Sequence, residues 1–298
     1  MALNESQLER YKKSLLLNGV DEPNQESLLN SNVLIIGAGG LGSPISYYLT
    51  AAGVGNITII DPDTVDTSNL QRQILHSTDD LGEAKVISAK NKLTALNPDV
   101  TITPIQDRVT EHNIESYIKP NGIKPYNIVI DATDTYYTKL MINDACVIHN
   151  QPLSHGGALG YIGHTLTIIP PNTSCLRCLW KVAPMKDDDP DKRIHFGTFP
   201  SLPGVIGTLQ AQDCLKYLLG LGNYYTNETV YFHSLEPEIK RKPAQKNPHC
   251  AVCGTNPLIT SFNGYKEVIG RLEQAVANER TIQPVNQFNR HVFNNHTN

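Results

Sequence analysis

The sequence predicts an α/β fold: a Rossmann-like, doubly wound sheet, parallel in its N-terminal half and mixed or antiparallel in its C-terminal extension. Three observations predict it. Short apolar runs alternate with helical patterns over roughly the first 150 residues, as βαβ units with parallel strands do. A glycine-rich turn joins the first apolar run to a helical pattern. After about residue 150, the glycine and β-branched residues of HGGALGYIGHTLTIIPP favour strands of another orientation.

Each element is predicted from its hydrophobic pattern. A parallel strand buried on both faces is a wholly apolar run, and a helix repeats its apolar residues with a period near 3.6. In chain order, the prediction is helix 5–18, strand 33–36, helix 43–53, strand 57–60, helix 84–96, strand 100–104, helix 111–118, strand 128–130 and helix 204–219.

Composition and charge exclude several classes of function. The net charge is -4 with both signs mixed along the chain, so no basic stripe is available to neutralise nucleic-acid phosphates. No run approaches the roughly 20 apolar residues of a membrane span, and MALNESQLER lacks the apolar core of a signal peptide,. We therefore expect a globular cytoplasmic protein that binds neither nucleic acid nor membrane.

Four of the six cysteines form two closely spaced pairs, Cys175 with Cys178 and Cys250 with Cys253. Two CxxC pairs are typical of a tetrathiolate zinc site. A thioredoxin-like redox motif would explain one pair but not both. Four thiolates leave no open position for a substrate, so we predict a structural Zn²⁺. The other cysteines, Cys146 and Cys214, lie in apolar helical stretches and are predicted to be core residues.

The glycine cluster after the first strand matches a dinucleotide-binding fingerprint. Without side chains, such a turn lets backbone N–H groups and a helix N-terminus approach phosphate oxygens. Asp61 follows Gly42 by 19 positions at a strand end, where a carboxylate can accept hydrogen bonds from ribose hydroxyls. A glycine turn used only for helix packing is the alternative. The predicted nucleotide-binding residues of this turn are Gly37, Gly39, Gly40 and Gly42.

The next segment distinguishes between possible nucleotides. SNLQRQ brings Asn69 and Arg72, and GEAK brings Lys85. A triphosphate needs such cations, because its leaving pyrophosphate and its reacting phosphorus carry negative charge. An NAD pocket has no comparable need. Solvated surface charges are the alternative for Arg72 and for Lys85.

In combination, these motifs resemble the ThiF/MoeB/HesA adenylyltransferases, which are related to ubiquitin-activating enzymes. The resemblance rests on IIGAGGLGSP, IDPDTVDTSNLQRQILH, GEAK, DATD, CLRC, GVIGTLQA and CAVCG, and it covers about residues 8–254. It implies an ATP-dependent enzyme that adenylates the C-terminal carboxylate of a small protein or peptide. By resemblance, Asp61 holds the ribose, and the phosphates are contacted by Asn69, Arg72 and Lys85.

Further roles are implied by the same resemblance. Asp134, the second carboxylate of DATD, would bind Mg²⁺, and Asp131 would lie behind it in a structural role. The family forms dimers in which an N-terminal arginine reaches the neighbour's ATP. Lys13 stands in its place here, retaining the charge but losing the planar fork. Lys139 likewise replaces the usual arginine of DNxxxR. We expect a homodimer with Lys13 in this role.

The family's substrates are ubiquitin-like sulfur carriers that end in Gly-Gly, a tail able to pass a narrow channel because glycine lacks a Cβ. Relatives that form an enzyme thioester have a cysteine shortly before the GVIG helix. Residues 192–200 contain none, so we predict adenylation without a covalent thioester. Adenylation of a ribosomally made peptide is an alternative. The pathway stays open between thiamine, molybdopterin, cysteine and peptide modification.

Two readings from other classes also stay open. An NAD-dependent oxidoreductase would use the glycine fingerprint, but no convincing catalytic acid accompanies it. A non-catalytic nucleotide-binding scaffold would fit the replacement at Lys13.

For domain organisation, we predict one domain over 1–255. Its nucleotide-binding half covers about 30–150, and its carrier-binding and zinc half about 151–255. A mobile loop is expected at 181–192 and a partly flexible extension at 256–298.

Overall fold

The computed structural model describes residues 2–120, 122, 124–183, 197–236 and 238–282. Across those residues, no helix combines the length and the apolar character needed to cross a bilayer. The helices are α1 Glu5–Leu15, α2 Glu22–Leu29, α3 Gly42–Ala52, α4 Lys85–Leu96, α5 Ile114–Ile118, α6 Tyr136–Ile148, α7 Leu176–Leu179, α8 Leu202–Leu219 and α9 Tyr265–Ile282. The strands are β1 Asn32–Ile36, β2 Asn56–Ile60, β3 Thr101–Ile105, β4 Ile128–Asp131, β5 Leu153–Leu159, β6 Ile162–Ile168, β7 Glu228–His233 and β8 Ile239–Pro243.

Within the described residues, eight strands form one sheet in the order β3-β2-β1-β4-β5-β6-β7-β8. The pairs from β3 to β5 are parallel, and those from β5 to β8 are antiparallel. The predicted α/β fold, with a parallel N-terminal half and antiparallel C-terminal strands, is confirmed. The strand order reverses between β1 and β4, and ligands of open α/β sheets bind in the crevice beyond such a switch point.

Helices cover both faces of the parallel strands. Because side chains alternate along a strand, the fully buried β1 divides its apolar residues between the two faces. Val33 and Ile35 pack with residues of α3, α4 and α8. Leu34 and Ile36 pack with residues of α5, α6 and the cysteine-bearing segments. The predicted core cysteines, Cys146 in α6 and Cys214 in α8, are fully buried.

Helix α1 is held at the edge of the sheet where the strands begin. Its N-terminus is fixed by a capping box between Asn4 and Gln7,. The Tyr11 hydroxyl accepts a hydrogen bond from the Asn97 amide at 2.9 Å and donates to Asp99 at 3.1 Å. These contacts place α1 beside the C-terminal end of α4, away from the carboxyl ends of the strands.

The C-terminal extension contains α9, which the sequence analysis did not predict. Tyr265, Ile269 and the preceding Phe262 are buried against the α5–α6 face. The predicted division into two halves near residue 150 stays a prediction. One sheet includes strands from both sides of that position. Most of the predicted loop at 181–192 and the tail after 282 lie outside the described residues.

Candidate nucleotide site and cysteine cluster

The glycine turn lies between β1 and α3 and packs closely against the loop after β4. Gly37 has φ +107°, and a Cβ on it would lie 2.5 Å from the carbonyl oxygen of Ala132. Only glycine fits this conformation and this close approach. The turn and the Asp131–Asp134 loop therefore meet at the switch point.

The peptide group of Ala38, inside this turn, is held on both sides. Asp61 Oδ2 accepts a hydrogen bond from the Ala38 N–H at 2.7 Å, and His76 Nε2 lies 2.9 Å from the Ala38 carbonyl oxygen. A carbonyl oxygen only accepts, so Nε2 carries the proton and Nδ1 accepts from the Ser88 hydroxyl at 2.9 Å,. Burial lowers the pKa of His76, which keeps this neutral tautomer.

Asp61 ends the β2 region and borders the glycine turn, as the fingerprint predicts. Its Oδ1 accepts a hydrogen bond from the Asp63 N–H at 2.9 Å. Burial raises the pKa of this carboxyl, while the Ala38 N–H and the charge of Lys85 partly offset the rise. The predicted ribose ligand is thus within the electrostatic reach of Lys85.

Of the two predicted phosphate cations, Arg72 borders this turn directly, and Lys85 lies close enough to Asp61 for its charge to act on that carboxyl. A Cβ on Gly40 would lie 3.4 Å from Cγ of the half-buried Arg72, so the stem of this side chain lies against Gly40. Lys85 is the first residue of α4 and its side chain is 5% exposed, with Nζ 3.2 Å from Asp63 Oδ2. Lys85 is therefore not a solvated surface charge.

Two further predicted residues lie on neighbouring loops. Asn69 is half-buried in the short 3₁₀ turn Thr67–Asn69. Asp134 is exposed between β4 and α6, beside the switch point. In contrast, Lys13 is exposed near the end of α1. Since α1 lies at the opposite edge of the sheet, a single chain does not bring Lys13 to the glycine turn.

Behind Asp134, the buried Asp131 carboxylate is surrounded by donors. It accepts from the Thr133 N–H at 3.0 Å and hydroxyl at 2.6 Å, and it lies 3.3 Å from Lys139 Nζ and 2.7 Å from His155 Nδ1. Burial alone would raise the pKa of Asp131, but the Lys139 charge and the His155 hydrogen bond hold it well below its usual range. Asp131 is therefore a buried anion that shapes the loop.

The four predicted metal-binding cysteines come together. Their sulfur atoms all lie within 4.8 Å of one another, and neighbouring sulfurs are 3.4 to 3.9 Å apart. Zinc–sulfur bonds of about 2.3 Å in a tetrahedron put the sulfurs about 3.8 Å apart. The cysteines are free thiols, and their spacing fits a tetrathiolate metal site.

Sequence reasoning missed residues that shape this site from a distance. The sequence indicates His76 only as the last residue of IDPDTVDTSNLQRQILH, and His155 belongs to no motif. Their contacts with Ala38 and Asp131 span 38 and 24 positions, so only the fold shows them. Of the buried groups around the site, only Asp131 belongs to a motif, DATD, that also supplies Asp134.

Comparison of this sequence with protein families and with curated proteins finds related adenylyltransferases and activating enzymes. The ThiF family profile matches residues 11–252. A SAMP-activating enzyme E1 from Haloferax volcanii is 35% identical over 254 residues, covering 85% of this chain and 92% of that protein. A sulfur carrier protein adenylyltransferase from Thermus thermophilus is 34% identical over 275 residues, covering 91% and 99%.

Among solved structures, Escherichia coli MccB with MccA-N7isoASN is similar, with a TM-score of 0.75 and 26% identity over 85% of this chain and 76% of that chain. The family profile covers more than half of the chain, and both sequence relatives exceed 30% identity over most of their length. The chain belongs to the ThiF family.

Proposed function

We propose that this protein is an ATP-dependent adenylyltransferase that activates the C-terminal carboxylate of a ubiquitin-like sulfur carrier protein ending in Gly-Gly. The proposal is supported by two cations near the glycine turn: Arg72, whose side-chain stem lies against Gly40, and the buried Lys85, whose charge acts on Asp61 beside the turn. The names of the two sequence relatives, an E1-type activating enzyme and a sulfur carrier protein adenylyltransferase, support it.

The reaction follows from the charges of the site. A carboxylate is ionised near neutral pH, so it attacks the α-phosphorus of ATP without a general base. The new bond joins the carboxylate oxygen to the α-phosphorus, and the bond to the α,β-bridging oxygen breaks, releasing pyrophosphate and leaving an acyl adenylate. Asp61 would hold the ribose, with the phosphates bound by Asn69, Arg72, Lys85 and the turn glycines Gly37, Gly39, Gly40 and Gly42.

Two metal ions complete the proposal. Asp134 would bind Mg²⁺, which typically uses one or two carboxylates and offsets the charge of the phosphates when bound. Cys175, Cys178, Cys250 and Cys253 would hold a structural Zn²⁺, as their sulfur spacing allows. A tetrathiolate metal site requires reduced cysteines, which suits a reducing compartment and supports a cytoplasmic location.

Adenylation of a ribosomally made peptide is a second candidate, favoured by the similarity to solved structures of MccB with MccA-N7isoASN and with N-formylated MccA. Both candidates share the same chemistry at the carboxylate. Neither involves an enzyme thioester, because residues 192–200 contain no cysteine. Because the two candidates share one reaction, they are distinguished by substrate: the rate of ATP–pyrophosphate exchange is compared with an added Gly-Gly carrier and with an added short peptide.

We also propose that the protein acts as a homodimer in which Lys13 serves the neighbour's site. Within one chain Lys13 lies at the wrong edge of the sheet. An apolar groove between α3, α8 and the segment of Arg72 adjoins the site, with Tyr48 54% and Ile74 62% exposed. A second copy docked on this groove would lie beside the nucleotide site.

ATP–pyrophosphate exchange tests the proposed activity. Exchange that depends on the added carrier, with no thioester band on a non-reducing gel, is the expected result. Reduction of NAD by the protein would instead indicate the oxidoreductase. Nucleotide binding without exchange with any carrier or peptide would indicate a non-catalytic scaffold.

A further inference from the structure

Two histidines outside every recognised motif lie side by side beneath the Asp131–Asp134 loop. His155 on β5 is fully buried, and its Nδ1 is 2.7 Å from Asp131 Oδ2. Its other ring nitrogen, Nε2, is 3.1 Å from Nε2 of His164 on β6. The three groups form a continuous chain from the antiparallel strands to the end of β4.

The proton positions in the hydrogen-bonded series of Asp131, His155 and His164 follow from the carboxylate of Asp131 at one end. Asp131 is ionised, so it only accepts, and His155 Nδ1 must carry the proton. Burial lowers the pKa of His155, although the Asp131 hydrogen bond opposes the change. In neutral His155, Nε2 is then an acceptor, and His164 Nε2–H donates to it. Each ring is fixed in one tautomer.

A glycine on the neighbouring strand leaves room for the His164 ring. His164 pairs with Gly157 across β5 and β6, and a Cβ on Gly157 would lie 2.6 Å from Cε1 of the His164 ring. Lys139 adds a second tie, donating to the Gly156 carbonyl at 2.6 Å while its Nζ stays near Asp131. Side-chain contacts of Asp131, His155 and His164 thereby join the neighbouring strands β4, β5 and β6.

The same network reaches both ends of the segment that carries Asp134. On one side, Asp131 accepts two hydrogen bonds from Thr133. On the other, the Tyr136 ring packs edge-on against Trp180 with centroids 5.4 Å apart, and Trp180 packs edge-on against both histidines at 5.7 and 5.4 Å. Asp134 thus lies between Thr133, which donates to Asp131, and Tyr136, which packs against Trp180.

From this geometry we propose that His155, held by His164, is a positioning residue that sets the orientation of Asp134 toward a magnesium-bound nucleotide. The proposal rests on the proposed function, in which Asp134 binds Mg²⁺. His155 acts through Asp131 and the loop and touches no substrate. Its contribution should therefore appear in the binding of Mg·ATP, while binding of ATP without Mg²⁺ stays unchanged.

Matched substitutions separate positioning from simple loss of packing. In His155→Asn, the amide nitrogen takes the place of Nδ1 and can still donate to Asp131, whereas His155→Leu removes the donor. In His164→Gln, the amide nitrogen takes the place of Nε2, whereas His164→Leu removes it. His112→Leu is the control, because the His112 side chain is 85% exposed.

The measurement is calorimetric titration with ATP in the presence and absence of Mg²⁺. His155→Leu should lose about tenfold or more of the Mg²⁺-dependent gain in affinity, the usual cost of removing a group that orients a metal ligand. His155→Asn should retain most of it, and His112→Leu all of it. Where exchange is measurable, the KM for Mg·ATP should rise more than kcat falls.

Folding is checked by thermal unfolding of each variant. If His155→Leu fails to fold, Gly157→Ala keeps the test open, because it displaces the His164 ring without changing either histidine and should weaken Mg·ATP binding to a smaller degree. Equal Mg²⁺-dependent affinity in wild type, His155→Leu and Gly157→Ala would overturn the proposal, as would a wild-type ATP affinity that does not respond to Mg²⁺. Loss of the proposed function looks different: Mg·ATP binds, but no carrier or peptide supports exchange.

Discussion

At the scale of single residues, the site depends on which charges are buried and what faces them. The sequence predicted the glycines and Asp61 because their spacing from the strands is a local property. It could not reveal that His76 holds the glycine turn, because its partner Ala38 is 38 positions away. Lys85 shows the same limit: its residue type suggested a phosphate contact, but its burial beside Asp63 is a consequence of the tertiary fold.

Removing either cation should slow adenylation. Arg72→Ala and Lys85→Ala should each reduce ATP–pyrophosphate exchange on the order of a hundredfold, because each removes a fixed charge facing the transition state. Lys90→Ala and Arg271→Ala, at exposed positions on α4 and α9, serve as controls with unchanged exchange. Near-wild-type exchange in both site variants would show that the cations do not act on the nucleotide.

The buried histidine of the glycine turn predicts a pH dependence of stability. The folded-state pKa of His76 is lowered by burial, so below about pH 6.5 the unfolded chain binds the proton more readily. The free energy of unfolding should therefore fall as pH drops below this value. Urea unfolding at pH 7.5 and 5.5 should show a smaller acid loss in His76→Gln than in wild type. An equal loss in both would mean that His76 does not contribute.

At the scale of elements, the cysteine-bearing segments and α9 are tied to α6 by one buried cluster. Arg177 donates from Nε to Asp144 at 2.8 Å, and the Tyr265 hydroxyl donates to Asp144 at 2.7 Å. The sequence predicted most strands and helices, since their apolar periodicity is local. It missed α9 because the polar composition of that segment suggests a frayed end, while its stability comes from burial of Tyr265 and Ile269 in the core.

The cysteine cluster predicts a coupling between metal content and stability. Cys250→Ser should lower the zinc content and reduce the melting temperature by about 5 °C or more, because metal binding contributes directly to folding. Cys214→Ala, at a buried cysteine outside the cluster, should keep the metal. One zinc per chain in Cys250→Ser, measured by atomic absorption, would disprove the assignment.

The tie between α9 and the core has its own test. Tyr265→Phe removes the hydroxyl that contacts Asp144 and Arg177 and should lower the free energy of unfolding by about 1 to 2 kcal/mol. Tyr161→Phe, at a position 43% exposed, should change it little. Equal urea midpoints for the two variants would show that the buried hydroxyl does not stabilise the docking of α9.

At the scale of the whole molecule, strand order decides what meets at the site. The alternation of elements predicted a doubly wound sheet, but not that β4 would lie beside β1. That neighbour relation brings the Asp131–Asp134 loop against Gly37, and it depends on packing between segments almost a hundred residues apart. The proposed homodimer belongs to this scale as well, because Lys13 lies at the opposite edge of its own sheet and would serve only a neighbour's site.

Mixed dimers test whether Lys13 acts on the neighbouring chain. Lys13→Ala and Arg72→Ala should each be inactive alone, but a mixed dimer of the two would contain one site with both cations intact. Mixed dimers purified through two different affinity tags should therefore regain up to about half of wild-type exchange. No recovery in purified mixed dimers would mean that Lys13 does not serve the partner's site.

The account as a whole depends on the attack of a free carboxylate on ATP. The most direct measurement is ATP–pyrophosphate exchange with a Gly-Gly carrier compared with the same carrier bearing a C-terminal carboxamide. We expect exchange with the carboxylate and none with the carboxamide, since the amide offers no anionic nucleophile. Equal exchange with both carriers, or exchange without any carrier, would contradict the proposed reaction.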